Sequence, residues 1–198
     1  MERALADELL AMAAEDLRVR EKLEKDGSLY RGYHSTMRAV HERNADRVAQ
    51  IVAERGWPGP DMVGAEAAQA AWLIVQHAIS RPAVMRAMLP VLAAAGDVPR
   101  WQAAMLEDRI RVLEGRRQRF GCAFDFDEHG EMSPLPIEEP EHVERYRAEV
   151  GLPPLSEKIA EHRRWAEREP RPDYAAKRAE ADAFAREVGW RQDGRDEG

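Results

Sequence analysis

Residues 65–79 read AEAAQAAWLIVQHAI, and this stretch decides the fold class. Apolar residues fall on nearly every side of a 3.6-residue repeat. The segment therefore predicts a helix at the centre of a core, not one lying on a surface. Ser80-Arg81-Pro82 follows. Serine as N-cap and proline in the first turn predict a restart as a second helix, running to about Ala95 with Val84, Met88, Leu89 and Leu92 inward. Gly96 is placed to close it. Upstream, Gly56-Trp57-Pro58-Gly59-Pro60 must stop whatever precedes it, because two prolines and two glycines cannot continue a helix. What precedes it is a helical pattern over 35–55, with a stripe of Met37, Val40, Asn44, Val48 and Ile51. Before that, Leu5, Leu9, Met12, Leu17 and Leu23 recur at helical spacing over 2–25, and Asp26-Gly27-Ser28 ends the run.

Downstream, residues 98–114 carry Trp101, Met105, Leu106, Ile110 and Leu113 at helical spacing, closed by Gly115. The texture then changes. Phe120, Cys122, Phe124 and Phe126 alternate, and Glu128-His129-Gly130 supplies a turn, which predicts a short β-hairpin or extended flap. Helical patterns return over 140–150, 156–169 and 173–188, the last with few large apolar residues. Pro170-Arg171-Pro172 separates the final two. The expectation is a mainly α fold: a single-domain helical bundle over 1–155 with a hairpin or flap near 118–134. A C-terminal helical extension over 156–190 and a disordered tail over 191–198 complete it.

Bulk properties narrow the function. The chain has 198 residues, net charge −7 and 34% charged residues. An acidic chain is a poor ligand for phosphate backbones, so nucleic acid is not an expected partner. The cluster Arg111, Arg116, Arg117 and Arg119 reads as a solvated helix end. No apolar run approaches the roughly 20 residues that span a bilayer, and Glu2, Asp7 and Glu8 spoil a signal peptide. No membrane partner is expected. A single cysteine, Cys122, excludes an intrachain disulfide and fits a reducing cytoplasm.

Polar residues inside apolar helices carry the functional reading. Gln76 and His77 follow Trp72, Leu73, Ile74 and Val75 directly. Unpaired, either would cost a few kcal/mol on burial, so both need partners. Asp108 and Arg109 interrupt the apolar face of 98–114. A partly buried Asp and Arg imply ion pairing or a ligand. Asp108 is placed to orient His77 through a ring N–H, as carboxylates do for general-base histidines. Arg109 has the geometry to hold an anion bidentately. Asn44 interrupts the 35–55 stripe, with His41 beside it. His34, His41 and His77 are a weak metal set: His34 and His41 are seven apart and no HExxH is present. No metal and no cofactor are expected. Histidines 129, 142 and 162 sit in turn or charged contexts and read as solvated. Cys122, flanked by apolar residues, reads as a small buried hydrophobe before a nucleophile. No GxGxxG, P-loop or GxSxG is present.

The segments GYHSTMRAVHERNADRVAQIVAERGWPGPDMVG, AAWLIVQHAISRP, WQAAMLEDRIRVLEGRRQRFG and SPLPIEEPEHVERYRAEVGLPPL together resemble a bacterial family catalogued as domain of unknown function 6624. The resemblance covers roughly residues 5–160. It implies a mainly helical bacterial protein, cytoplasmic or envelope-associated, and supplies no activity. The pattern carries over onto Asn44, Gly56, Trp57, Pro58, Gly64, Trp72, Gln76, His77, Asp108, Arg109, Gly115, Gln118 and Gly121. Members often show Tyr-Gly-Thr-Gln where this chain has Phe120-Gly121-Cys122-Ala123, which argues against a catalytic Cys122.

These readings converge on one expectation. The protein is a small cytoplasmic enzyme acting on a small anionic or polar metabolite by hydrolysis or elimination. His77 is the general acid/base and Asp108 its partner. Arg109, Gln76, Asn44, Gln118, His41 and Trp72 contact substrate, in a pocket between 35–55, 65–79 and 98–114 closed by the 118–134 flap. A homodimer is compatible with it. The rival is a non-catalytic binding or accessory protein whose buried polar network is structural.

Overall fold

The central helix forms where its apolar wrap requires. In the computed structural model, which describes residues 1–28, 32–168 and 173–192, it is α4, Ala65–His77. It packs against each of the four helices around it: α1 (Arg3–Lys25), α2 (Ser35–Arg55), the single turn α3 (Pro60–Val63) and α5 (Pro82–Ala94). Ala71, Val75 and Ile74 of α4 are buried with Leu9 of α1, Val48 and Ile51 of α2, and Met85 and Leu92 of α5. These residues make up the core of the first of two compact units, Met1–Val98.

Local chemistry sets the breaks. α4 ends at His77, two residues short of expectation, and Pro82 holds the residue before it, Arg81, outside the helical region. Proline occupies the first position of α5, so its N-cap is Arg81 and not Ser80. On α5, Met85, Met88 and Leu92 are buried, while Val84 and Leu89 are only half-buried. The Gly56–Pro60 stop holds, but the chain makes the extra turn α3 before α4. The Asp97 carboxylate accepts from the Asp61 N–H at 3.1 Å and satisfies the start of α3. A Cβ on Gly59 would collide with that carboxylate, so any other residue here must displace the Asp97 side chain from the start of α3.

The second unit is Pro99–Gly198. It contains α6 (Arg100–Leu113), β1 (Phe124–Phe126), β2 (Met132–Pro134), a 3-10 turn at Pro140–His142, α7 (Val143–Val150), α8 (Leu155–Ala166) and α9 (Tyr174–Glu187). The hairpin expected from the alternating phenylalanines is present, antiparallel, with Asp125 opposite Ser133. Asp127 closes its turn by accepting from the N–H groups of His129 and Glu131, both at 2.9 Å. Ala104, Phe120 and Tyr146 form a small core here. The expected boundary at 155 falls inside this unit. Leu155 is buried and its N–H is held by the Glu144 carboxylate at 3.1 Å, so α8 is tied to α7 and also packs on β2. On α9, Ala185 is buried, as is Trp190 just beyond it. The Pro170–Pro172 break and most of the 191–198 tail lie outside the described residues. No described helix is long and apolar enough to cross a membrane.

Candidate active site

Three helices of the first unit bring three titratable side chains together. Asp16 lies on α1 at a core position, one turn beyond Ala13 and two beyond Leu9, both buried. His41 lies on α2, one turn beyond Met37 and two turns before Val48, again on the buried stripe. His77 is the last residue of α4. Because α1, α2 and α4 pack on one another, the three side chains meet.

The Asp16 carboxylate bridges the two imidazoles. Its Oδ2 lies 2.6 Å from His77 Nδ1 and its Oδ1 3.3 Å from His41 Nε2. The two rings lie 5.0 Å apart, tilted 42°. Tyr33 extends the chain, with its hydroxyl 2.6 Å from His41 Nδ1. A carboxylate only accepts, so both ring nitrogens that face it carry the proton. His41 in its neutral form then accepts from the Tyr33 O–H at its other nitrogen.

Exposure is graded: side-chain accessibility is 2% for Asp16, 10% for His41 and 22% for His77. Solvent reaches the cluster most readily at His77. Burial pushes the Asp16 carboxyl up, but the hydrogen bonds and positive charge of His41 and His77 outweigh it. The group is held well below the usual carboxylate range. Burial raises the Tyr33 phenol to about 12.

Other expected site residues divide sharply. Asn44 is buried on α2 and donates to the Met12 carbonyl at 3.3 Å, joining α2 to α1. Trp72 is buried on α4. Gln76 is buried, and its Nε2 has no hydrogen-bond partner among the described residues. His34 caps α2, its Nδ1 accepting from the Thr36 N–H at 3.2 Å, and is not one of the cluster.

The expected orienter of His77, Asp108, has other partners. Its Oδ1 accepts from the N–H groups of Arg119 and Phe120 at 2.7 and 3.1 Å, and its Oδ2 from Phe120 and Cys122 at 3.1 and 3.0 Å. Asp16 takes the place that the sequence reading gave to Asp108. Gln118 is likewise turned onto backbone. Its Oε1 accepts from the Ala123 N–H at 2.8 Å, and its Nε2 donates to the carbonyls of Ala123 and Leu135 at 3.0 and 2.7 Å. Arg147, missed in sequence, completes this clamp by donating to the carbonyls of Phe120 and Pro153 at 2.5 and 2.7 Å. Arg109, on α6, keeps contact with solvent, although the packing around it lowers its guanidinium pKa by desolvation. Burial and the Asp108 charge raise the Cys122 thiol, which opposes a nucleophilic role. His129 and His142 are exposed as expected, whereas His162 stacks on Phe124 at 4.1 Å.

Asp16 was legible in principle. It is an acid in register with Leu9 and Ala13, on the face that α1 must bury. Read as one acid among many on a charged helix, it gave no signal. Arg147 was hidden in the same way on α7.

The model of a family of unknown function (DUF6624) matches residues 3–164 of the chain. No curated protein and no solved structure matches it.

Proposed function

The chain belongs to the family of unknown function DUF6624, and since that description carries no activity we propose, on geometry alone, that it is a small helical enzyme with a general acid–base centre at His77. One observation carries this reading: a buried carboxylate 2.6 Å from Nδ1 of the most accessible histidine of the cluster. Asp16 holds the Nδ1–H tautomer and leaves the Nε2 lone pair to take a proton. The imidazolium that forms is stabilised by the same carboxylate and by its place in the last turn of α4, where the helix dipole favours a cation. Nε2 then returns the proton to a leaving group. That cycle serves hydrolysis, with water as the attacking group, or elimination, with a carbon acid as the proton source.

The substrate class is a small polar or anionic metabolite, the setting a bacterial cytoplasm. The unpartnered Gln76 Nε2 supports a binding role, because a buried donor without a partner costs about 1–3 kcal/mol that a ligand oxygen would recover. The rival reading, a non-catalytic binding or accessory protein, draws support from Asn44, Asp108 and Gln118, whose polar groups all serve the backbone.

The test is a panel of small esters, amides, lactones, phosphate esters and hydroxy acids incubated with purified protein and followed by mass spectrometry. General acid–base assistance is worth about 10²–10⁴-fold, so His77→Gln should slow any conversion by that factor. Conversion that survives His77→Gln, or a wild type inert on every class, sinks the proposal.

A further inference from the structure

Asp16 is a buried anion whose partners among the described residues are two imidazoles. The guanidiniums that link α2 to α1 do not serve it. Arg43, Arg47 and Arg55 pair with Glu15, Glu8 and Glu2 at the exposed edge. Two imidazoles aimed at one carboxylate, with no arginine or lysine paired to it among the described residues, form an unusual structural network. As a ligand set they are ordinary: two nitrogens and an oxygen, the donors that borderline divalent ions prefer.

We infer that Asp16, His41 and His77 bind one divalent transition-metal ion of the zinc class, through His41 Nε2, His77 Nδ1 and an Asp16 oxygen. The inference rests on the reading above only for the location of the reactive centre, and it replaces His77 Nε2 as the base. The donor atoms lie within 4.8 Å of one another. A tetrahedral ion with ligand bonds of about 2.0–2.2 Å holds its donors about 3.3–3.6 Å apart. The widest separation must close by about 1 Å and the Asp16–His77 pair, at 2.6 Å, must open by about as much, shifts that side-chain rotation supplies.

Proton bookkeeping favours the exchange. Binding asks each imidazole for a lone pair where it now presents N–H, so each proton moves to the other ring nitrogen. On His77 that nitrogen belongs to the more accessible side chain of the pair. On His41 it meets Tyr33, 2.6 Å away. A hydroxyl donates to one tautomer and accepts from the other, so Tyr33 stabilises both the metal-free and the metal-bound state. Three protein ligands leave a coordination position for water, which the ion makes acidic near neutrality. With the ion bound, proton transfer passes from His77 Nε2 to that water, and hydrolysis becomes the favoured class.

The test uses the untagged full-length protein, freed of metal by chelation and titrated with cobalt(II), then with zinc(II) in competition. The expected result is one equivalent of cobalt bound per chain, with visible d–d absorption that zinc bleaches. Asp16→Asn and His41→Gln should weaken cobalt binding at least 100-fold. Tyr33→Phe, which removes no ligand and leaves the fold intact by circular dichroism, should weaken it about 10-fold. His34→Ala, outside the cluster, should leave it unchanged. A folded wild type that binds no cobalt, or binding indifferent to Asp16→Asn, overturns the inference. Turnover by chelated protein that still depends on His77 also overturns it while sustaining the acid–base reading. Cobalt binding without turnover does the reverse.

Discussion

Asp16 and Asp108 are both aspartates on helices, and both are buried, at 1% and 0% exposure. Burying a carboxylate demands compensation, and the two receive it in opposite ways. Asp108 accepts from backbone N–H groups of a single loop, residues 119–122. Those donors do not titrate. Asp16 accepts from two imidazole side chains, which are themselves ligands for metals. A carboxylate tied to amides organises a fold; one tied to imidazoles is, on the proposed reading, placed for chemistry. The difference is in the partners and not in the aspartate, its burial or its helix.

Stability measurements can break this comparison. The largest effect is expected for Asp108→Ala, which strands three backbone N–H groups and should cost about 3–5 kcal/mol in urea unfolding. Gln118→Ala removes three hydrogen bonds from the same loop and its neighbouring strand, and about 2–4 kcal/mol should be lost. Gly121 has φ +67, and an added Cβ would lie 3.0 Å from Leu155 Cδ1 and 3.2 Å from Ile137 Cδ1. Gly121→Ala should therefore cost about 1–3 kcal/mol, read from the shift in thermal midpoint. His77→Gln belongs at the other end of the scale. Active-centre residues are often neutral to remove, so its unfolding free energy should stay within about 1 kcal/mol of wild type while turnover falls. A cost for His77→Gln equal to that of Asp108→Ala would erase the distinction. Cys122 sharpens the comparison chemically. Its raised thiol leaves little thiolate at pH 8, so iodoacetamide should modify the native protein at least ~10-fold more slowly than free cysteine.

Much of the architecture could be read from residues in order. The apolar wrap of 65–79 required a central helix, and it packs against α1, α2, α3 and α5. The alternating phenylalanines and the turn at Glu128–Gly130 foretold the hairpin. The candidate site was half visible. Gln76 and His77 stood out because apolar neighbours left them no solvated face, and His41 because it flanks the apolar stripe of its helix. Asp16 did not, because α1 carries acids all round and one of them facing inward looks like the rest.

Sequence alone determined the helical class, the breaks at Gly56–Pro60 and Ser80–Pro82, the hairpin, and the fact that certain polar groups must be buried. Each follows from local periodicity or from a residue that forbids continuation, and neither depends on distant parts of the chain. Tertiary structure alone decided which buried group meets which. Asp16 and His77 are separated by 61 positions, and only the packing of α1 on α4 sets them 2.6 Å apart. Asp108 could have been assigned to His77 by type and burial. It goes instead to the loop after its own helix, because three amides there had to be satisfied and a carboxylate eleven to fourteen residues away could reach them.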